Sequence, residues 1–135
     1  MYEPYIAERF IEIVSSKNRL VKYYHRILEY IRVKTDKEQI KIIIEEEIKH
    51  MRMLKSIHVR VMGGQVIDLS EEQIKREAFV KCMERIIYLE TKISNITKTL
   101  MFSIPDIRIK NGLYYIFADD QRHTDISLFV YKKYI

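Results

Sequence analysis

The chain is short of anything that breaks a helix. Three glycines and two prolines in 135 residues argue against many short strands and for a few long helices. The single cysteine, Cys82, excludes an internal disulfide and any paired-thiol redox or zinc site, and it points to a reducing compartment, the cytoplasm. No apolar run approaches the roughly 18 residues that a membrane-spanning helix needs. Glu3, Glu8, Arg9 and Glu12 fall where a secretory leader would be apolar, so none is expected. Charge of one sign is also scarce. The net +5 is scattered, with lysine and arginine alternating with glutamate as on a solvated surface. No basic face carries interleaved aromatics, so no nucleic-acid partner is expected.

What is present has the balance of a globular domain: 47% apolar and 32% charged residues, at a length that suits a single domain over residues 1–135. Three joints divide it. The first runs from Val33 to Asp36, where Thr35 or Asp36 can cap a helix. In the second, Met62 to Ser70, Gly63 can end a helix and Ser70 with Gln73 forms a capping-box pattern. The third, Ser103 to Gly112, contains Pro105. Helices are predicted over about 3–31, 37–61, 70–102 and 112–134. Each carries one apolar stripe, such as Phe10, Ile13, Val14, Leu20, Val21, Tyr24 and Ile27 in the first and Ile40, Ile43, Ile44, Leu54 and Ile57 in the second. Four such faces bury one another in an all-α four-helix bundle. The length of the middle joint leaves the connection topology open.

The stripes are interrupted at one level. Lys17 breaks the first, Glu47 and His50 the second, Glu90 the third, Asp120 and His123 the fourth. Burying ionisable groups is costly unless they pair or coordinate a metal. Glu47-Ile-Lys-His50 is an ExxH motif and Asp120-Gln-Arg-His123 its aspartate version. Positions i and i+3 share a helix face, so each pair can offer one carboxylate oxygen and one imidazole nitrogen to a single ion. The second half also repeats the first at a shift of 73 residues. Lys17 aligns with Glu90, Glu47 with Asp120, His50 with His123, Ile31 with Ile104 and Ile40 with Leu113, without a gap. The chain reads as a duplicated helix pair.

This pattern resembles the ferritin-like superfamily and, within it, the short rubrerythrin-like proteins. The resemblance implies two irons held by a glutamate from each of helices one and three and a Glu-x-x-His from each of helices two and four. Carried onto this sequence, it implies Glu47, His50, Glu90, Asp120 and His123 as metal ligands. At the helix-one position stands Lys17, whose ammonium has donors only and cannot bind a metal while protonated. Lys17 is expected to salt-bridge Glu47 or Asp120 in place of one cation, so the site would hold one ion or two. Iron is expected, with manganese or zinc also suited to these donors.

The implied activity is that of a non-haem iron oxidoreductase, oxidising Fe(II) or reducing peroxide, with Lys17 donating a hydrogen bond to bound peroxide. Peroxide or oxygen would be its substrate. One cysteine cannot build a rubredoxin-like iron site, so electrons would come from a separate protein. A homodimer is expected. The rival reading is a non-enzymatic structural or assembly protein, spore-coat-like, whose cluster is an inherited salt-bridge network. Around the cluster, Asp119 points about 100° away from Asp120 and is expected in solvent, as are Glu45, Glu46, Glu84, His25 and His58. Tyr24, two turns beyond Lys17, is expected to pack in the core, with a redox-active or hydrogen-bonding tyrosine near the site as the alternative.

Overall fold

The computed structural model describes residues 4–65 and 73–134. Helix α1 spans Pro4–Leu28, α2 Lys34–Met62, α3 Phe79–Ser103 and α4 Ile107–Lys132. No strand occurs among the described residues, and none of these helices is long and apolar enough to cross a membrane. The stripes do the packing. Phe10, Ile13, Leu20, Tyr24 and Ile27 of α1 are wholly buried, as are Ile40, Ile43 and Leu54 of α2, Met83, Ile86, Ile93 and Leu100 of α3, and Leu113, Ile116 and Val130 of α4. Burying each large side chain contributes about 1.5–3 kcal/mol before the entropy of ordering is subtracted.

Side-chain contacts fix the topology that the sequence left open. Tyr5 reaches Ser103 at 3.3 Å and Glu12 faces Lys92 at 3.6 Å, so α1 and α3 run antiparallel. Asp36 meets Lys133 and Lys49 meets Tyr115, so α2 and α4 also run antiparallel. Helix α1 packs on α2 and α3, and α4 on the same two, which leaves α2 and α3 diagonal and parallel. The start of α3 therefore lies at the opposite end of the bundle from the end of α2. Sixteen residues separate Met62 from Phe79, and at about 3.3 Å each they can cover the ~37 Å length of a 25-residue helix.

The helix ends differ from those predicted. Gly63 ends α2 in the left-handed conformation, φ 77°, as its sequence position suggested. The start of α2 is not capped by Thr35 or Asp36; its N-cap is Val33, without a side-chain bond. Asp36 is instead buried and held by Lys133 Nζ at 3.0 Å. Helix α3 begins at Phe79, later than predicted, because residues 73–78 are not helical. Ser70 lies outside the described residues. Ala78 provides no cap there; the Phe79 ring packs against Tyr30 and Tyr134 instead. Helix α4 starts five residues early, because the Asp106 carboxylate accepts hydrogen bonds from the Arg108 and Ile109 amides. Gly112, read as a boundary, sits inside it.

Candidate metal centre

Four helices each deliver polar side chains to one level of the core. Lys17, Glu47, His50, Glu90, Asp120 and His123 are all fully buried. Lys17 Nζ sits among the acids, donating to Glu47 Oε2 at 2.8 Å and to Asp120 Oδ1 and Oδ2 at 2.9 and 3.0 Å. His50 Nδ1 is 3.3 Å from the same ammonium. His123 Nδ1 bonds Glu47 Oε1 at 2.7 Å and stands 3.4 Å from Glu90 Oε2. The two imidazoles stack with centroids 5.8 Å apart, as expected for equivalent positions on a repeated helix pair.

Burial and charge set the protonation states. Desolvation works to lower the Lys17 pKa, but the carboxylates of Asp120, Glu47 and Glu90 outweigh it and keep the ammonium charged. Burial would raise Glu47, yet Lys17, His123 and His50 hold its carboxyl well below the usual range. Glu90 goes the other way. Desolvation, then the nearby charge of Glu47, pushes it up to about 8, which favours its neutral form at pH 7. Asp120 is raised by burial, against the pull of Lys17. Desolvation opposes charge on His123, but its bonds to Glu47 and Glu90 carry the imidazolium up to about 10.

Four of these residues form a set that could hold a metal ion. Glu47, Glu90, Asp120 and His123 each offer a donor atom, and those atoms all lie within 4.8 Å of one another. Three carboxylates and an imidazole suit a divalent transition metal. Glu90 Oε1 is buried with no hydrogen-bond partner, a cost that a cation would remove. His50 stands outside this set, with Nε2 turned to Asp119 at 2.7 Å.

Residues around the cluster depart from their sequence reading. Tyr24 does more than pack: its hydroxyl donates to Glu90 Oε2 at 2.9 Å and lies 3.0 Å from Ser127 Oγ. Two helical turns separate Tyr24 from Lys17 on the same face of α1, and the hydrogen-bonding alternative is the one found, because the hydroxyl lies far enough from its Cα to reach the cluster. Asp119 is only partly exposed, and its carboxylate takes the outer nitrogen of His50. Glu46 is likewise half-buried, 3.5 Å from His123 Nε2. Charge runs on helices look like solvent faces, and only the partner helix shows otherwise. His58 is buried, with Nδ1 2.6 Å from the Gly64 carbonyl and its ring edge-on to Phe10. His25, Glu45 and Glu84 are exposed as expected.

The fold and cluster together define an all-helical bundle with a buried carboxylate and imidazole group able to hold a metal, an arrangement compatible with a ferritin-like fold. No protein-family model, no curated protein and no solved structure matches the chain.

Proposed function

We propose that this chain is a metal-binding protein of ferritin-like type whose centre holds one transition-metal ion, iron foremost, and oxidises Fe(II) or reduces peroxide. The observation that carries this is the convergence of donor atoms from Glu47, Glu90, Asp120 and His123 within 4.8 Å. These residues would hold the ion, with His50 beside them. Iron, when bound, supplies one-electron redox chemistry. The chain supplies the rest. Glu47 and Asp120 bring negative charge that favours a higher metal charge, and the apolar stripes above and below keep water out. Tyr24 Oη holds Glu90 Oε2, while Glu90 can carry a proton at neutral pH. Lys17 Nζ, on giving up one of its two bonds to Asp120, is the donor best placed to hydrogen-bond a peroxide. Its place among the acids limits the centre to a single ion, and electrons would come from a separate donor protein.

A second reading rests on Lys17 itself. Its three short bonds to Glu47 and Asp120 already balance the charge that a metal would balance, as suits a non-enzymatic structural or assembly protein with an inherited network. One experiment separates the two. Purified chain would be loaded anaerobically with Fe(II), then given peroxide or oxygen, with Fe(III) absorption and oxidant consumption followed. Bound Fe(II) that oxidises faster than free Fe(II), and an effect abolished by His123→Ala, is expected. Absence of bound iron, with oxidation at the free rate, would favour the structural reading.

A further inference from the structure

The outer nitrogens of the two imidazoles open onto a second ring of charge. Glu46 and Asp119 immediately precede Glu47 and Asp120 and are themselves 73 residues apart. Each serves the histidine of the other helix: Asp119 bonds His50 Nε2 at 2.7 Å, and Glu46 Oε1 stands 3.5 Å from His123 Nε2. Those last two atoms, Glu46 Oε1 and His123 Nε2, are buried and have no hydrogen-bond partner. Arg122 spans the ring from outside, with Nη2 against Glu46 Oε2 and 3.1 Å from Asp119 Oδ1. Side-chain exposure rises outward, from 0% at His123 through 14% at Asp119 and 21% at Glu46 to 47% at Arg122.

We propose that Glu46, Asp119 and His123 Nε2 form a transit site for a divalent transition-metal cation, and that Arg122 is its displaceable seal. The proposal rests on the metal-binding reading and adds the route. The centre is fully enclosed, so an ion needs a path, and along this seam the half-buried carboxylates Glu46 and Asp119 are joined to Glu47 and Asp120 through the rings of His123 and His50. An imidazole nitrogen beside a carboxylate oxygen, neither of them hydrogen-bonded, is a donor pair that a borderline metal takes once it displaces the proton from Nε2. Arg122 already occupies the place of a cation there. Its pairs reach solvent and are weak, unlike those of buried Lys17, so an incoming ion can replace it.

Co(II) is the probe, because its visible absorption reports when nitrogen and oxygen donors surround it. Metal-free full-length chain would be mixed with Co(II) by stopped flow, and bound metal counted at equilibrium. Arg122→Gln is expected to take up Co(II) roughly tenfold faster than the parent at unchanged stoichiometry, and Glu46→Gln or Asp119→Asn roughly tenfold slower. Uptake by Arg122→Gln at the parent rate overturns the proposal. So does reduced stoichiometry in that variant, which would make Arg122 a clamp on the two carboxylates. If neither the parent nor any variant binds Co(II) at equilibrium, the metal-binding reading itself fails, and the transit site with it.

Discussion

Lys17 and Glu90 occupy the same position in two helix pairs that otherwise correspond closely. The apolar positions repeat, with Ile13 and Ile86, Leu20 and Ile93, and Ile27 and Leu100 all wholly buried. The ExxH and DxxH faces repeat, and so do the carboxylates Glu46 and Asp119 behind the imidazoles. Position 17 breaks the match with a cation. Its ammonium is held charged by Glu47 and Asp120, whereas Glu90, forced to share the same core with them, is kept protonated. The 73-residue repeat marks where the polar groups stand, and the residue at position 17 sets their charge. A fourth carboxylate at position 17 would add like charge to the core, whereas here Lys17 supplies an internal cation and Glu90 is pushed towards its neutral form.

Breaking the first half should have the largest effect. Lys17→Met leaves Glu47 and Asp120 buried without their cation and is expected to cost the metal-free protein about 3–5 kcal/mol, read as a lower denaturation midpoint. Lys17→Glu makes the halves alike. The metal-free form should again be less stable than the parent, and calorimetric titration should show capacity for two ions instead of one. An unaltered midpoint together with unaltered capacity would mean that residue 17 does not set the charge of the cluster.

Titration sharpens the same contrast. His123 and Glu90 both have folded pKa values above their ordinary ones, about 10 against 6.5 and about 8 against 4.5. The folded protein therefore binds more protons than the unfolded chain between about pH 4.5 and 10, and its stability falls as pH rises through that window. The imidazolium contribution is complete below pH 6.5 and is lost as pH climbs through about 10. Glu47, shifted down, acts oppositely and costs stability only in acid, below its ordinary 4.5. Melts of the metal-free protein should fall by a few kcal/mol from pH 6.5 to 10, and His123→Gln should flatten that slope.

Smaller effects are expected where the halves differ at single bonds. Tyr24 aligns with Thr97, which bonds its own helix at the Ile93 carbonyl, so at this position the first half reaches across to an acid and the second does not. Tyr24→Phe removes the bond to Glu90 Oε2 and should cost about 1–3 kcal/mol in denaturant melts. Val33 and Asp106 are also equivalent, both N-caps, and only Asp106 makes a capping bond. Asp106→Val equalises them and should cost about 1 kcal/mol by the same measurement.

The cluster was legible in the sequence because each of its members interrupts an apolar stripe at helical spacing. Helix periodicity alone carries that signal, and the 73-residue repeat reinforces it. The surrounding network was not legible. Glu46 and Asp119 lie at positions whose own helices give no hint of a partner, and their contacts cross to a different helix; the spacing of Tyr24 from Lys17 offers a place near the site but not its partner, Glu90. His58 reads as polar until Phe10 and Gly64 surround it. Helix starts misled for a related reason: residues 73–78 read as helical in the sequence and are not, and the aromatic contacts of Phe79, made across the bundle, mark where the helix begins. Topology needed pairs such as Glu12 with Lys92, which no local pattern encodes.

Metal content measured on protein purified without chelator tests the centre most directly. Elemental analysis of the parent should find one transition-metal ion per chain, and the double variant Glu90→Ala with His123→Ala, two of the four converging donors, should retain none. Metal-free parent protein, or full stoichiometry in the folded double variant, would contradict a metal centre at these residues.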